Sequence, residues 1–297
     1  LTQRSNFYKW WPFVLLLAAG ASRWMVAATH PDAGPTLVSE ALGCTWAAIV
    51  SLAFLPFGRN VHPIRSGFRV EVFRTALAGG AIFAGPAIAL LLGGKSLDAG
   101  SVTIALALSP VVVAVGTSAR RPDSSTGVAG HIWPSLAAVA GLLLVLVQPN
   151  LGDARTDVAL VLAPLLAGGG AVLFGAGREE SPWGVTTALS GAGLLFGFAT
   201  LMKYVLGMRP AVSFLAVGCD GLLALLGVLA LQRIGSLRWS SQFTWLPLLI
   251  VVEGLALVHP GMSARIAIGV GLLALASVYL LLPQSEDAET VVSKIAR

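Results

Sequence analysis

Apolar residues in this chain come in long unbroken runs, each closed by a short polar or turn-forming stretch. Continuous runs without period-2 alternation predict helices, not the strands of a barrel. The runs cover residues 10–29, 36–57, 73–92, 98–117, 130–148, 158–177, 184–204, 211–231, 241–258 and 264–283. Each holds about 18–22 residues, the length that crosses roughly 30 Å of hydrocarbon. The pattern predicts an all-α membrane protein with ten transmembrane helices.

Composition agrees with the pattern. Of the 297 residues, 56% are hydrophobic and only 11% are charged, whereas a soluble domain carries about 25% charged residues. The bilayer is therefore the first expected partner. The net charge of +5 does not point to nucleic acid, because no basic face interleaved with aromatics accompanies it. It bears on topology instead, since Lys and Arg collect in cytoplasmic loops. Thirteen of the 19 Lys and Arg, including Arg59, Arg65, Arg69 and Arg74 in one loop, fall on the side that holds both termini. Five, namely Lys95, Arg155, Lys203, Arg209 and Arg265, fall on the other side, and Arg23 lies within the first run. Both termini are expected in the cytoplasm, with the chain in the inner membrane.

The first run, "WWPFVLLLAAGASRWMVAAT", follows Arg4 and Lys9. It has the charged start and small residues of a signal peptide. Its continuation past Ser22 favours a retained spanning helix.

Ten runs invite division into two sets of five, residues 1–150 and 151–283, with residues 284–297 as a cytoplasmic tail. Residues 106–149 and 243–283 share an order of features: a proline, a Val/Leu-rich stretch, a polar break, and a Gly/Ala-rich helix ending in "LLLVLVQP" or "SVYLLLP". Pro110 and Pro247 occupy matching places. Each removes a helix hydrogen bond and marks an expected break. Because five is odd, the second set would insert inverted to the first.

The stretch "ALLLGGKSLDAGSVTIALALSPVVVAVGT" (89–117) and the stretch "LPLLIVVEGLALVHPGMSARIAIGVGLLALASVYLLL" (246–282) resemble the drug/metabolite transporter superfamily, EamA type. The resemblance covers most of the chain as topology and these two patches as residues. It implies two inverted five-helix repeats and a cavity lined by the first, third, fourth, sixth, eighth and ninth helices. It also implies a secondary transporter of a small molecule, an exporter, working by alternating access, and no enzyme.

Three ionisable residues lie deep in the runs. Arg23 is a little past the middle of the first, Asp220 is tenth of 21 residues in the eighth, and Glu253 is two-thirds along the ninth. Such a group at the bilayer centre costs about 2.5–3.5 kcal/mol on insertion scales, so each needs a reason. Two acids and one base leave one negative charge when all are ionised, and an unpaired buried carboxylate takes up a proton. One acid paired with Arg23 and the other exchanging a proton is the arrangement that proton coupling requires. The alternative is a static pair or a hydrogen-bonded carboxyl that joins helices. Trp24 and Trp245 are candidate cavity walls. Glu40 and Asp98, at the starts of runs, are expected to reach the interface, and Lys203 to snorkel.

Other signals are weaker. Cys44 and Cys219 are the only cysteines; they lie in apolar runs, and no disulfide framework follows. No His or Cys spacing suggests a metal, and no cofactor motif is present. Glycines at three- and four-residue spacing, as in "APLLAGGGAVLFGAG" (163–177), favour close helix packing. The sequence thus points to a transporter of a small metabolite, with a non-transporting membrane assembly or sensor protein as the alternative.

Overall fold

The computed structural model describes residues 2–30, 34–53, 68–92, 99–120, 129–146, 154–175, 182–206, 212–258 and 263–282. Among these residues the protein is all-helical. In chain order the helices are α1 (Thr2–Thr29), α2 (Leu37–Ala53), α3 (Phe68–Ile82), α4 (Ala84–Leu92), α5 (Ala99–Leu106), α6 (Ser109–Arg120) and α7 (Ala129–Val145). They continue as α8 (Ala154–Gly175), α9 (Pro182–Val205), α10 (Phe214–Ile234), α11 (Ser236–Ser240), α12 (Gln242–Val258) and α13 (Ala264–Leu281).

Among the described residues seven stretches are long and apolar enough to cross a membrane: Lys9–Ala27, Gly100–Ala119, Asp157–Gly175, Trp183–Val205, Phe214–Ile234, Ser236–Leu257 and Ala264–Leu281. Leu37–Ala53 and Gly130–Val145 are apolar but shorter. At 1.5 Å per residue the 17 residues of α2 reach about 26 Å. The run expected over 73–92 is divided between α3 and α4.

Two of the divisions follow from proline chemistry. Pro86 has no N–H to give Ile82 O, and the helix parts at Phe83, whose own N–H reaches Gly79 O at a long 3.4 Å. Pro110 likewise leaves Leu106 O without its donor, and α5 ends there. Leu108 N then bonds three residues back, to Ala105 O at 3.0 Å. Pro247 behaves differently. It lies inside α12, which runs on through it, and the discontinuity falls earlier, at Gly235. There the backbone takes φ 83° and ψ 164°, a region open to glycine and strained for other residues. The short α11 is fastened back by Trp239, whose Nε1 donates to Gly227 O at 2.8 Å.

The helices pack as α2 along α9, α7 along α13, α3 against α8 and α9, and α10 against α1 and α2. Glycines set the closest crossings. Gly79 lies on the Ala188 backbone and Gly191 on the Ala76 backbone, so α3 and α9 meet with nothing between them. A Cβ on Gly141 would come 2.7 Å from Gly269 O, where α7 crosses α13. Ser51 Oγ and Thr186 Oγ1, 2.7 Å apart, add a polar tie between α2 and α9. One buried cluster joins Cys44, Ala47, Leu189, Phe196 and Val228 at the centre. Large apolar side chains such as Val70, Trp133, Leu194, Phe214 and Leu275 point outward and exposed. An apolar exterior of this extent suits a lipid surface.

Candidate functional site

Asp220 is in the middle of α10, among Leu, Ala and Gly. Gly221, next to it, is where α10 touches α2. A Cβ on Gly221 would lie 2.7 Å from Gly43 O, and one on Gly43 would lie 2.6 Å from Gly221 N. No other residue type permits that approach. It carries the first turn of α2, one turn before Gly43, up to the Asp220 carboxylate. Gly218, one turn earlier on α10, meets nothing within 4 Å.

The first turn of α2 is itself tightly built. Thr36 is the N-cap and Ser39 the third helical residue. Ser39 N donates to Thr36 Oγ1 at 3.0 Å, and Thr36 N donates to Ser39 Oγ at 2.9 Å. This is the reciprocal logic of a capping box, with serine in place of the usual Glu or Gln. With its oxygen fixed in this way, Ser39 Oγ donates across the helix boundary to Asp220 Oδ2 at 2.6 Å.

Arg23, from α1, supplies the opposite charge. Its Nη2 and Nε donate to Asp220 Oδ1 at 3.0 and 3.2 Å. The pair is deep, with 12% of the Arg23 side chain and 2% of that of Asp220 exposed. Both carboxylate oxygens of Asp220 are therefore engaged, one by α1 and the other by α2. The guanidinium is not saturated. Arg23 Nη1 is fully buried and has no hydrogen-bond partner.

A second acid shares this site, and it is Glu40. It is half-buried, directly follows Ser39, and interacts electrostatically with both Asp220 and Arg23. Among the described residues no hydrogen bond or ion pair engages its carboxylate. Cys44, one turn further along α2, is buried and feels both acids. The sequence offered Glu40 as an interfacial residue and gave no reason to single out Ser39. The signal was present as "TLVSEALG" (36–43), a capped helix start with an acid one turn before a glycine.

The other sequence candidates lie elsewhere. Glu253 is half-buried on α12 and is not among the partners of Asp220. Trp245 is half-buried, donates from Nε1 to Ser277 O at 3.1 Å, and packs beside Ile104, Ala138, Leu142 and Leu273. It therefore stands at the junction of α12 with α7 and α13. Trp24 is on α1, but its side chain lies outside the described residues, as do Asp98 and His259. Pro110 is buried at the α5–α6 break, and Pro247 is buried in α12. Lys203 is half-buried in the last turn of α9. Among the described residues no group of three or more His, Cys, Asp or Glu is placed to hold a metal ion.

No family model matches the chain, and no curated protein matches it in sequence. Solved structures do: 16 chains match. One, described as "Crystal structure of protein", superposes with a TM-score of 0.65 over 90% of this chain and 97% of its own, at 16% sequence identity. At that identity the likeness is one of fold alone.

The geometry combines a neutralised ion pair, an open guanidinium donor and an open carboxylate at the meeting of three helices. In hydrocarbon such groups are expensive to maintain and mark pathways for ions or polar solutes.

Proposed function

We propose that this protein is a secondary transporter of a small polar or amphipathic metabolite, of the drug/metabolite (EamA-type) kind, acting as an exporter in the inner membrane. The carrying observation is the buried Arg23–Asp220–Ser39 group with Glu40 beside it, a polar centre in a bundle whose exterior is apolar. The packing supports two inverted five-helix halves. If α1, α2, α3–α4, α5–α6 and α7 form one half, then α8, α9, α10, α11–α12 and α13 form the other in the same order. Exchanging the halves turns the α3–α9 crossing into the α10–α2 crossing and the α3–α8 contact into the α10–α1 contact, all of which occur. Glycines sit at both crossings so exchanged, Gly79 and Gly191 at one, Gly43 and Gly221 at the other. In this reading both termini are cytoplasmic, and one half rocks against the other around Arg23 and Asp220.

The alternative is a membrane assembly or sensor protein in which Arg23, Ser39 and Asp220 clamp α1, α2 and α10. That all Asp220 oxygens are engaged favours it. Reconstitution separates the two. Proteoliposomes with an imposed pH gradient are assayed for accumulation of a panel of radiolabelled amino acids, amines, nucleosides and organic acids. Saturable accumulation of any one, abolished in Asp220→Asn, supports transport. A folded protein that moves none of them leaves the clamp.

A further inference from the structure

The charges of the site do not balance. Arg23 and Asp220 cancel, and Asp220 has both oxygens filled by Arg23 and Ser39. Glu40, when ionised, adds a second negative charge in the same electrostatic neighbourhood, and no hydrogen bond or ion pair engages its carboxylate among the described residues. Among the described residues no cation is paired with it. On α2 the nearest titratable neighbour is Cys44; α10 brings Asp220 and Cys219; α4 carries no ionisable residue; α9, antiparallel to α2, brings Lys203 and Tyr204 in its last turn toward the start of α2, but the charges that act on Glu40 are those of Asp220 and Arg23. Of the cations on α1, Arg23 reaches the site, and it is committed to Asp220 through Nη2 and Nε.

A carboxylate left in that position calls for a monocation. A divalent ion would need more acidic ligands than are grouped there. A hydrogen-bonding cation suits the position, because Glu40 offers acceptor oxygens only. We propose that Glu40 is the cation-accepting group of the site, binding a proton or a primary ammonium group while Asp220 stays locked to Arg23 and Ser39. If an ammonium replaces a proton, the proton goes from the Glu40 oxygen to bulk water and the ammonium N–H takes its place, so the site charge is unchanged.

The place of Glu40 in a transport cycle rests on the reading above, but cation binding does not, and the test uses binding alone. The full chain in detergent micelles is titrated with acid and, separately, with methylammonium chloride at fixed pH. Heat and released protons are recorded, with tetramethylammonium, which has no N–H, as the control. Wild type is expected to bind methylammonium and not tetramethylammonium, releasing up to one proton per chain. Glu40→Gln weakens binding by roughly 10- to 100-fold, the scale of a charged hydrogen bond, and abolishes the release. Glu40→Asp restores both in part, and Glu253→Gln changes neither. Acid uptake lost in Glu40→Gln without methylammonium binding identifies the proton as the occupant and supports the assignment. A Glu40→Gln protein whose acid uptake and methylammonium response equal wild type overturns it. Intact binding with no flux in proteoliposomes sinks the transport reading and leaves this one standing.

Discussion

Gly43 and Gly221 face each other so closely that a Cβ on either would lie within 2.6–2.7 Å of the other's backbone. The crossing of α2 over α10 is therefore fixed by two absent side chains, and it places Ser39 on Asp220. Gly221→Val is expected to push the helices apart and to destabilise the fold by about 1–3 kcal/mol, the usual cost of overpacking. Gly218→Ala, on a face with nothing within 4 Å, is expected to leave stability unchanged. Thermal unfolding in nanodiscs, followed by tryptophan fluorescence, compares the two; equal melting temperatures would contradict the crossing.

The Arg23–Asp220 pair makes a prediction of sign. Removing one partner leaves a charge alone in a buried place, at a cost of about 3–5 kcal/mol. Arg23→Gln and Asp220→Asn are each expected to lower the unfolding midpoint substantially. The double variant is expected to be more stable than Arg23→Gln alone, which leaves Asp220 and Glu40 together without a counter-charge. A double-mutant cycle measures this coupling, and strictly additive losses would show that the pair does not act as a unit.

Ser39 joins the capping of α2 to the charge pair. Ser39→Ala removes the 2.6 Å bond to Asp220 and the acceptor for Thr36 N. The expected loss is about 1.5–3 kcal/mol, typical of a hydrogen bond to a charged group. Ser39→Thr, which keeps the hydroxyl, should recover most of it. Chemical denaturation in mixed micelles reads the difference, and a Thr variant as weak as the Ala variant would refute a role for the hydroxyl.

Gly235 holds φ 83° and ψ 164° between α10 and α11. Gly235→Ala should cost about 1–3 kcal/mol of backbone strain even though nothing lies within 4 Å of its Cβ position. Gly254→Ala, equally open in space but within α12, should be neutral or slightly stabilising. Melting temperatures of the two variants decide whether conformation or packing governs position 235.

The helical segments were legible because hydrocarbon imposes a length, and apolar runs declare it. The break near Leu106 was legible through Pro110, whose missing N–H is written in the sequence; the break at Phe83 follows from Pro86 in the same way but lay inside a run expected to be continuous. The stop at Gly235 was not, because a glycine announces freedom without saying where it is used. Pro247 misled for the converse reason: the surrounding helix tolerates one lost bond. Arg23 and Asp220 stood out as charges in apolar surroundings. Ser39 did not, since an uncharged hydroxyl at a helix start is unremarkable until a neighbouring helix arrives. Glu40 was masked by its position, because a carboxylate near the end of a run has an interface within reach. Only the glycine crossing draws it inward.

The Arg23–Asp220 bond spans 197 residues of sequence, and this separation sets a schedule for biosynthesis. At about 5–20 residues per second the partner of Arg23 leaves the ribosome roughly 10–40 s after Arg23 itself. During that interval α1 holds an unmatched cation. The part of α1 that carries Arg23 settles into lipid at a higher cost until α10 arrives with its counter-charge. The ion pair thus ties the favourable seating of the first helix to the arrival of one encoded far later in the chain.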